Sequence, residues 1–224
     1  MAVSLAGDFE NIHLRYGNEV VAGAGTSLAG LCNFAKKWQL SGLEFAWGIP
    51  GSVGGAAFMN AGAYGEEMKD VVLSCTHMNP DGTIETYTAE QLDFAYRHSV
   101  YQKSHGIVLS VAFQLKKGDK QEIKAKMDDL MGRRKEKQPL EYPSAGSTFK
   151  RPEGYFAGKL IQDAGLRGYQ VGGAQVSEKH CGFVINKENA TATDVVNLIH
   201  DVQRIVYEKF QVQLDTEVKF LGEF

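Results

Sequence analysis

Ser147 is the residue in this chain whose type and setting most invite chemistry. It stands in Tyr142-Pro143-Ser144-Ala145-Gly146-Ser147-Thr148-Phe149-Lys150, between Gly146 and the β-branched Thr148. Ala145-Gly146 leaves almost no side-chain bulk on one side, so the backbone here can come within van der Waals reach of a ligand. A hydroxyl in that position can donate a hydrogen bond or a proton to a reacting atom. No G-x-S-x-G elbow surrounds it, which argues against a hydrolase nucleophile. As an isolated segment it reads as a Ser-Gly turn.

Three further groups bear charge that could serve the same site. Arg97, in Tyr96-Arg97-His98-Ser99, offers a permanently charged, bidentate guanidinium, although its spacing alone reads as a surface arginine after a turn. Arg133-Arg134-Lys135-Glu136-Lys137 has a local net charge of +3, which would draw a polyanion towards an otherwise acidic chain. As a bare pattern it is a solvated helix end, where cations are ordinary. Glu217 lies in Val212-Gln213-Leu214-Asp215-Thr216-Glu217-Val218-Lys219-Phe220-Leu221, whose alternation is that of a half-buried strand. Periodicity puts Glu217 on the polar face, as a solvated carboxylate.

The stretch Gly48-Ile49-Pro50-Gly51-Ser52-Val53-Gly54-Gly55-Ala56-Ala57 continues through Asn60 to Gly65. It holds six glycines and four alanines among eighteen residues. Ile49, Val53, Phe58 and Met59 are too apolar for a solvated linker. Small residues in an apolar context suit a backbone laid against a flat ligand, with amide N–H groups as the polar contacts.

Together these stretches resemble the UDP-N-acetylenolpyruvoylglucosamine reductase (UDP-N-acetylmuramate dehydrogenase) family, the flavoenzymes of peptidoglycan precursor synthesis. The residues that carry the likeness are 48–65, Tyr96-Arg97-His98-Ser99, 138–147, Phe156-Ala157-Gly158-Lys159-Leu160-Ile161-Gln162-Asp163 and Glu217-Val218. They run over nearly the whole chain in the family's order. The resemblance implies NADPH-dependent, FAD-mediated reduction of UDP-N-acetylglucosamine-enolpyruvate to UDP-N-acetylmuramate. Arg97 would hold the substrate carboxylate, Ser147 would be the general acid, and Glu217 would assist Arg97 and the intermediate by hydrogen bonding. Gly48, Ile49, Pro50, Gly51, Ser52, Gly54 and Gly55 would line the cofactor, while Tyr96, Arg134 and Lys150 would bind substrate, Arg134 near the diphosphate. The short connection from Arg97 to Ile107 leaves no room for an inserted tyrosine-bearing loop, so the chain resembles the simpler type.

The implied fold is α+β: the second lobe of a two-lobe FAD-binding module (PCMH/vanillyl-alcohol-oxidase-like), then an α+β substrate-binding domain. A first lobe with the loop for the FAD pyrophosphate is expected to precede Met1. Ala22-Gly23-Ala24-Gly25-Thr26-Ser27 falls short of G-x-G-x-x-G and reads as a tight strand-to-helix turn. On this reading the FAD site is incomplete, the chain by itself is inactive, and it is prone to association where the full-length enzyme is a monomer. The alternative is an inactive fragment or non-catalytic nucleotide-sugar module that holds no FAD. An oxidase of the same flavin architecture fits less well, because Ser147 and its flanks have no purpose there.

Composition sets wider bounds. A chain of 224 residues with 43% hydrophobic and 23% charged content can bury one or two cores and is not intrinsically disordered. Its formal net charge of −3 argues against a nucleic-acid partner. No apolar run reaches the roughly 18 residues of a membrane span, and Met1–Gly7 lacks the basic region and apolar length of a signal peptide. Cys32, Cys75 and Cys181 are odd in number and widely spaced, a reduced, cytoplasmic usage. The histidines show no metal-ligand spacing.

Several elements must position these residues. Phe9–Leu14 and Glu19–Val21 read as strands, and 27–38 as a helix capped by Thr26 or Ser27. Val71–Met78 and Thr83–Tyr87 form a hairpin across Asn79-Pro80-Asp81-Gly82, and Ile107–Leu115 is a strand. Lys116-Lys117-Gly118-Asp119-Lys120 reads as a linker, giving domains 1–117 and 118–224. Helices follow at 121–137, stopped by Pro139, and at 156–164, stopped by Gly165. Thr191-Ala192-Thr193-Asp194 opens a long helix through a capping box. Strands at 182–186 and 212–221 flank it.

Overall fold

The structure, a computed structural model, describes residues 4–223; residues 1–3 of the Met1–Gly7 stretch weighed above lie outside them. The chain divides into two compact units, Met1–Gly132 and Arg133–Phe224.

In the first unit a 3-10 turn, Gly7–Glu10, precedes β1 (Ile12–Leu14), so only the second half of the strand expected at 9–14 forms. It pairs with β2 (Glu19–Gly23), which leads into α1 (Leu28–Lys37). Ser27 caps α1, its side chain accepting from the Gly30 N–H at 3.1 Å, while Leu28, Leu31, Cys32 and Ala35 are buried. Next come β3 (Leu40–Ser41), the short α2 (Val53–Phe58), β4 (Gly62–Ala63) and β5 (Glu66–Glu67). The hairpin of β6 (Val72–Met78) and β7 (Ile84–Thr88) turns at Gly82, φ +88°, with Asp81 accepting from the Thr83 N–H and hydroxyl. After α3 (Tyr101–Ser104), β8 (Ile107–Gln114) completes an antiparallel sheet of order β1-β2-β8-β6-β7. Val20, Ala22, Val111 and Phe113 from its central strands are buried against α1 and α2.

The stretch expected as a linker is structured. Lys116–Lys117 forms β9 and pairs with β3, and the Gly118 N–H donates to Gln39 O at 3.0 Å. A side chain at 118 would meet Ser41 Cβ at 3.0 Å, so glycine here serves close packing rather than flexibility. The following α4 (Lys120–Lys137) begins on the same core, burying Ile123 and Met127 there. A boundary after residue 117 therefore divides what packs together, and the compact units separate at 132/133.

The second unit holds β10 (Ser144–Ser147), α5 (Ala157–Asp163), β11 (Gln170–Val171), β12 (Ala174–Val176), β13 (Phe183–Asn186) and α6 (Ala192–Phe210). Its sheet is antiparallel in the order β10-β13-β12-β11. The capping box at Thr191 and Asp194 is present, and α6 buries Leu198, Ile199, Val202 and Val206. Gly165, φ +80°, ends α5. The expected C-terminal strand is reduced to one bridge, Phe149 with Thr216. Alternation proposed a strand there, but a ladder also needs a partner of matching length.

Candidate active site

Two turns in the first unit meet backbone to backbone. The Val53 N–H donates to Thr26 O at 2.8 Å, Gly54 N–H to Ala24 O at 2.9 Å, and Leu28 N–H to Gly51 O at 3.0 Å. A Cβ at Gly54 would come 2.8 Å from Ala24 Cβ, a contact real side chains do not make, so the pairing demands glycine. The two turns help line an open cleft of about 480 Å³, with Phe58 and Ile107 among its apolar walls and Glu10 at its margin. Small residues and apolar side chains suit a flat, largely aromatic cofactor such as FAD, while the Ala24, Gly25, Gly54 and Gly55 N–H groups that line the cleft are already engaged within the protein.

Of the seven residues expected at a cofactor, Ser52, Gly54 and Gly55 line this cleft. Gly48 (φ +83°) and Gly51 (φ +131°) take positive φ but are not among its lining residues, Ile49 packs on the first core, and Pro50 is exposed. Ala24 and Gly25 line it too. Sequence reading took their glycine run for a turn alone; the signal was a strand–glycine–helix junction, too short for a dinucleotide fingerprint.

Arg97 occupies a two-residue turn, Tyr96-Arg97, closed by reciprocal backbone hydrogen bonds between Ala95 and His98 at 3.1 and 3.2 Å. It is held at φ +52°, in the position where such turns favour glycine or asparagine. A non-glycine residue there costs of order 1–3 kcal/mol and persists when its surroundings over-determine it. Its Nη2 donates to Gly62 O at 3.2 Å, its carbonyl accepts from Gln102 Nε2 at 2.8 Å, and its guanidinium lies 5.0 Å from the Tyr96 ring centroid. Below the turn, buried Ser99 donates to Phe58 O at 2.7 Å.

In the second unit Ser147 ends β10 and is exposed. Ser144 pairs with Ile185 and Ser147 with Phe183, so three steps on one strand match two on the other. The extra residue makes a bulge, and Gly146 takes it up at φ +84°. Thr148 anchors the next position: its N–H donates to Gly182 O at 2.9 Å, and its Oγ1 accepts from the Val184 N–H at 3.1 Å. The Glu217 N–H donates to Thr148 O at 2.9 Å and the Lys150 N–H to Asp215 O at 2.8 Å. Ser147, Lys150 and Glu217 are thereby gathered on two adjacent segments, with Glu217 and Lys150 half-buried. Periodicity alone had made Glu217 a fully solvated carboxylate.

Arg134, read from its pattern as part of a solvated helix end, is buried at 6% exposure, while Arg133, Lys135, Glu136 and Lys137 around it are exposed. A buried guanidinium is a committed charge, since burial without compensation is costly. Tyr96 is half exposed. Among the described residues no group of histidine, cysteine and carboxylate side chains could hold a metal ion, and no helix is long and apolar enough to cross a membrane.

The five-stranded sheet, its glycine-built cleft and the smaller α+β unit define a flavin-binding class: residues 1–88 match the FAD binding domain family. Residues 138–221 match the C-terminal domain of UDP-N-acetylenolpyruvoylglucosamine reductase. The chain is 58% identical to the UDP-N-acetylenolpyruvoylglucosamine reductase of Agathobacter rectalis over 224 residues, covering 99% of this chain and 70% of that protein. It is 60% identical to the reductase of Limosilactobacillus reuteri over 205 residues, or 92% of this chain and 69% of that one. The crystal structure of the Thermus caldophilus reductase superimposes with a TM-score of 0.84 at 38% identity, covering 96% of this chain and 76% of that chain. The chain belongs to the UDP-N-acetylenolpyruvoylglucosamine reductase family.

Proposed function

We propose that the protein reduces the enolpyruvyl double bond of UDP-N-acetylglucosamine-enolpyruvate to give UDP-N-acetylmuramate, in peptidoglycan precursor synthesis. The observation that carries this reading is 58% identity along 99% of the chain to a reductase of that name. FAD, when bound, would supply hydride chemistry, with NADPH as the source of reducing equivalents and the far carbon of the vinyl ether as the acceptor. Ser52, Gly54 and Gly55, with Ala24 and Gly25, would hold it, Gly48 to Gly51 shaping the approach.

The remaining roles belong to the chain's own side chains. Negative charge develops on the substrate carboxylate as an enolate-like species, and stabilisation must act where that charge appears. Arg97 holds the carboxylate; a guanidinium is always charged and binds such a group through two N–H donors. Ser147 delivers the proton to the carbon beside the carboxylate. A serine is a poor acid, so the role requires a strongly basic carbon and a hydroxyl already in place; exposure at the end of a bulged strand supports that. Glu217 assists by hydrogen bonding, and Tyr96, Lys150 and Arg134 bind the UDP-sugar, Arg134 at the diphosphate.

NADPH and a UDP-sugar are solutes of the cytoplasm, where we place the reaction, acting through wall synthesis on cell shape and division. Anaerobic stopped-flow spectroscopy of the FAD-loaded protein tests the whole reading. NADPH should bleach the flavin and UDP-N-acetylglucosamine-enolpyruvate should restore its colour; no reoxidation by that substrate sinks it.

A further inference from the structure

We infer that Asn60 is a positioning residue for Arg97: its buried amide sets the turn from which the guanidinium reaches the substrate carboxylate. This rests on the role given to Arg97 above. Asn60 is fully buried and sits at φ +43°, a left-handed backbone that asparagine tolerates better than most residues. Both ends of its amide are used. Nδ2 donates to Glu67 Oε2 at 2.8 Å and to Ala95 O at 3.0 Å, and Oδ1 accepts from the Lys69 N–H at 2.9 Å.

Ala95 is the first residue of the Arg97 turn, so the amide grips that turn at its base. Arg97 grips back, donating to Gly62 O two residues beyond Asn60. The turn is thus tied twice to one short segment, 60–62, once through a buried amide and once through the guanidinium itself. An amide that only closed its own loop would explain the bonds to Glu67 and Lys69, seven and nine residues away. It would not explain the reach to Ala95, thirty-five residues on. The arginine's left-handed backbone is a conformation that relaxes unless it is held. The residue type is also restricted. Aspartate would set an acceptor against Glu67 and the Ala95 carbonyl, which are themselves acceptors, and an apolar side chain would orphan both ends.

Calorimetric titration of the FAD-loaded protein with two ligands tests this: UDP-N-acetylglucosamine-enolpyruvate, and UDP-N-acetylglucosamine, which lacks the carboxylate. The unsubstituted protein should prefer the enolpyruvyl ligand by roughly tenfold to a hundredfold, the range for charge-assisted hydrogen bonds. Asn60→Asp and Asn60→Gly should each lose most of that preference while binding UDP-N-acetylglucosamine as before. Glycine adopts this backbone without strain, so Asn60→Gly covers the case in which the aspartate variant does not fold. Equal weakening of both ligands, an unchanged preference, or loss of folding in both variants overturns the inference and leaves Asn60 a scaffold residue. Arg97→Ala separates the two levels: if it keeps the preference, the role of Arg97 itself fails, whatever Asn60 does.

Discussion

The arginine turn of the first unit and the serine strand of the second hold their functional groups by opposite means. Arg97 stands on a left-handed backbone that its own residue type disfavours, with its base gripped by a fully buried asparagine. Ser147 stands on a strand end whose one irregular residue, Gly146, takes the positive φ itself. The strain is stored in the side chain's own residue in one case and delegated to a glycine neighbour in the other. A group that must hold a charge gains from being over-determined, because any reorganisation subtracts from the electrostatic stabilisation. In the role proposed for Ser147 the hydroxyl must already be in place, and a strand end whose irregularity falls on Gly146 can hold it there without strain at the serine itself.

The largest test of this contrast is Ser147→Ala in the FAD-loaded protein. Reoxidation by the enolpyruvyl substrate should slow about 10²- to 10⁴-fold, the loss of a general acid, with bleaching by NADPH unchanged. Both half-reactions slowing alike in stopped-flow traces would make the serine structural.

At Arg97 the contrast predicts that activity and stability part company. Arg97→Asn relieves the left-handed backbone but gives up the guanidinium's bond to Gly62 O, so its melting temperature should change little, while turnover should drop at least tenfold with the charge-assisted hydrogen bonds gone. Arg97→Lys keeps the charge, loses the fork and should show weak activity. A clearly lowered melting temperature for Arg97→Asn would remove the strain argument.

The serine strand should be sensitive one residue further on. Thr148→Val deletes the hydroxyl that accepts from Val184 and should cost about 1–3 kcal/mol in denaturant unfolding of the second unit. Glu217→Gln should lower turnover more than it lowers stability, since the bond to Thr148 comes from its backbone. A stability loss at Glu217 as large as that at Thr148 would assign the glutamate to the scaffold.

The smallest effect is a pH dependence in the second unit. The Thr191 and Gly173 N–H groups that Asp194 accepts from, together with the Thr191 hydroxyl, hold its carboxyl below the ordinary aspartate range. The folded state therefore favours the ionised form. Its contribution is fully present above the unfolded value of about 3.9 and is lost as pH falls through the depressed folded value. Asp194→Asn should lower stability at neutral pH and flatten its loss in acid below about pH 4; an unchanged acid limb would refute the assignment.

The amino-acid sequence by itself determined what neighbours within a few residues can settle. The Ser27 cap of α1, the Asp81-Gly82 turn, the Gly165 stop and the Thr191–Asp194 box lie where their spacing puts them, because each signal and its partner sit within one helical or hairpin turn. Arg97, Ser147 and Glu217 were singled out through resemblance, not periodicity. Only the tertiary structure decided how they are held. Pairing of Lys116–Lys117 with Leu40–Ser41, reduction of the C-terminal strand to one bridge, and Asn60 under the Arg97 turn all join residues tens of positions apart, and the burial of Arg134 is equally absent from its local pattern. Whether a polar side chain is solvated or committed, and whether an extended run finds a partner, depends on which distant backbone group arrives beside it. Local pattern carries no record of that.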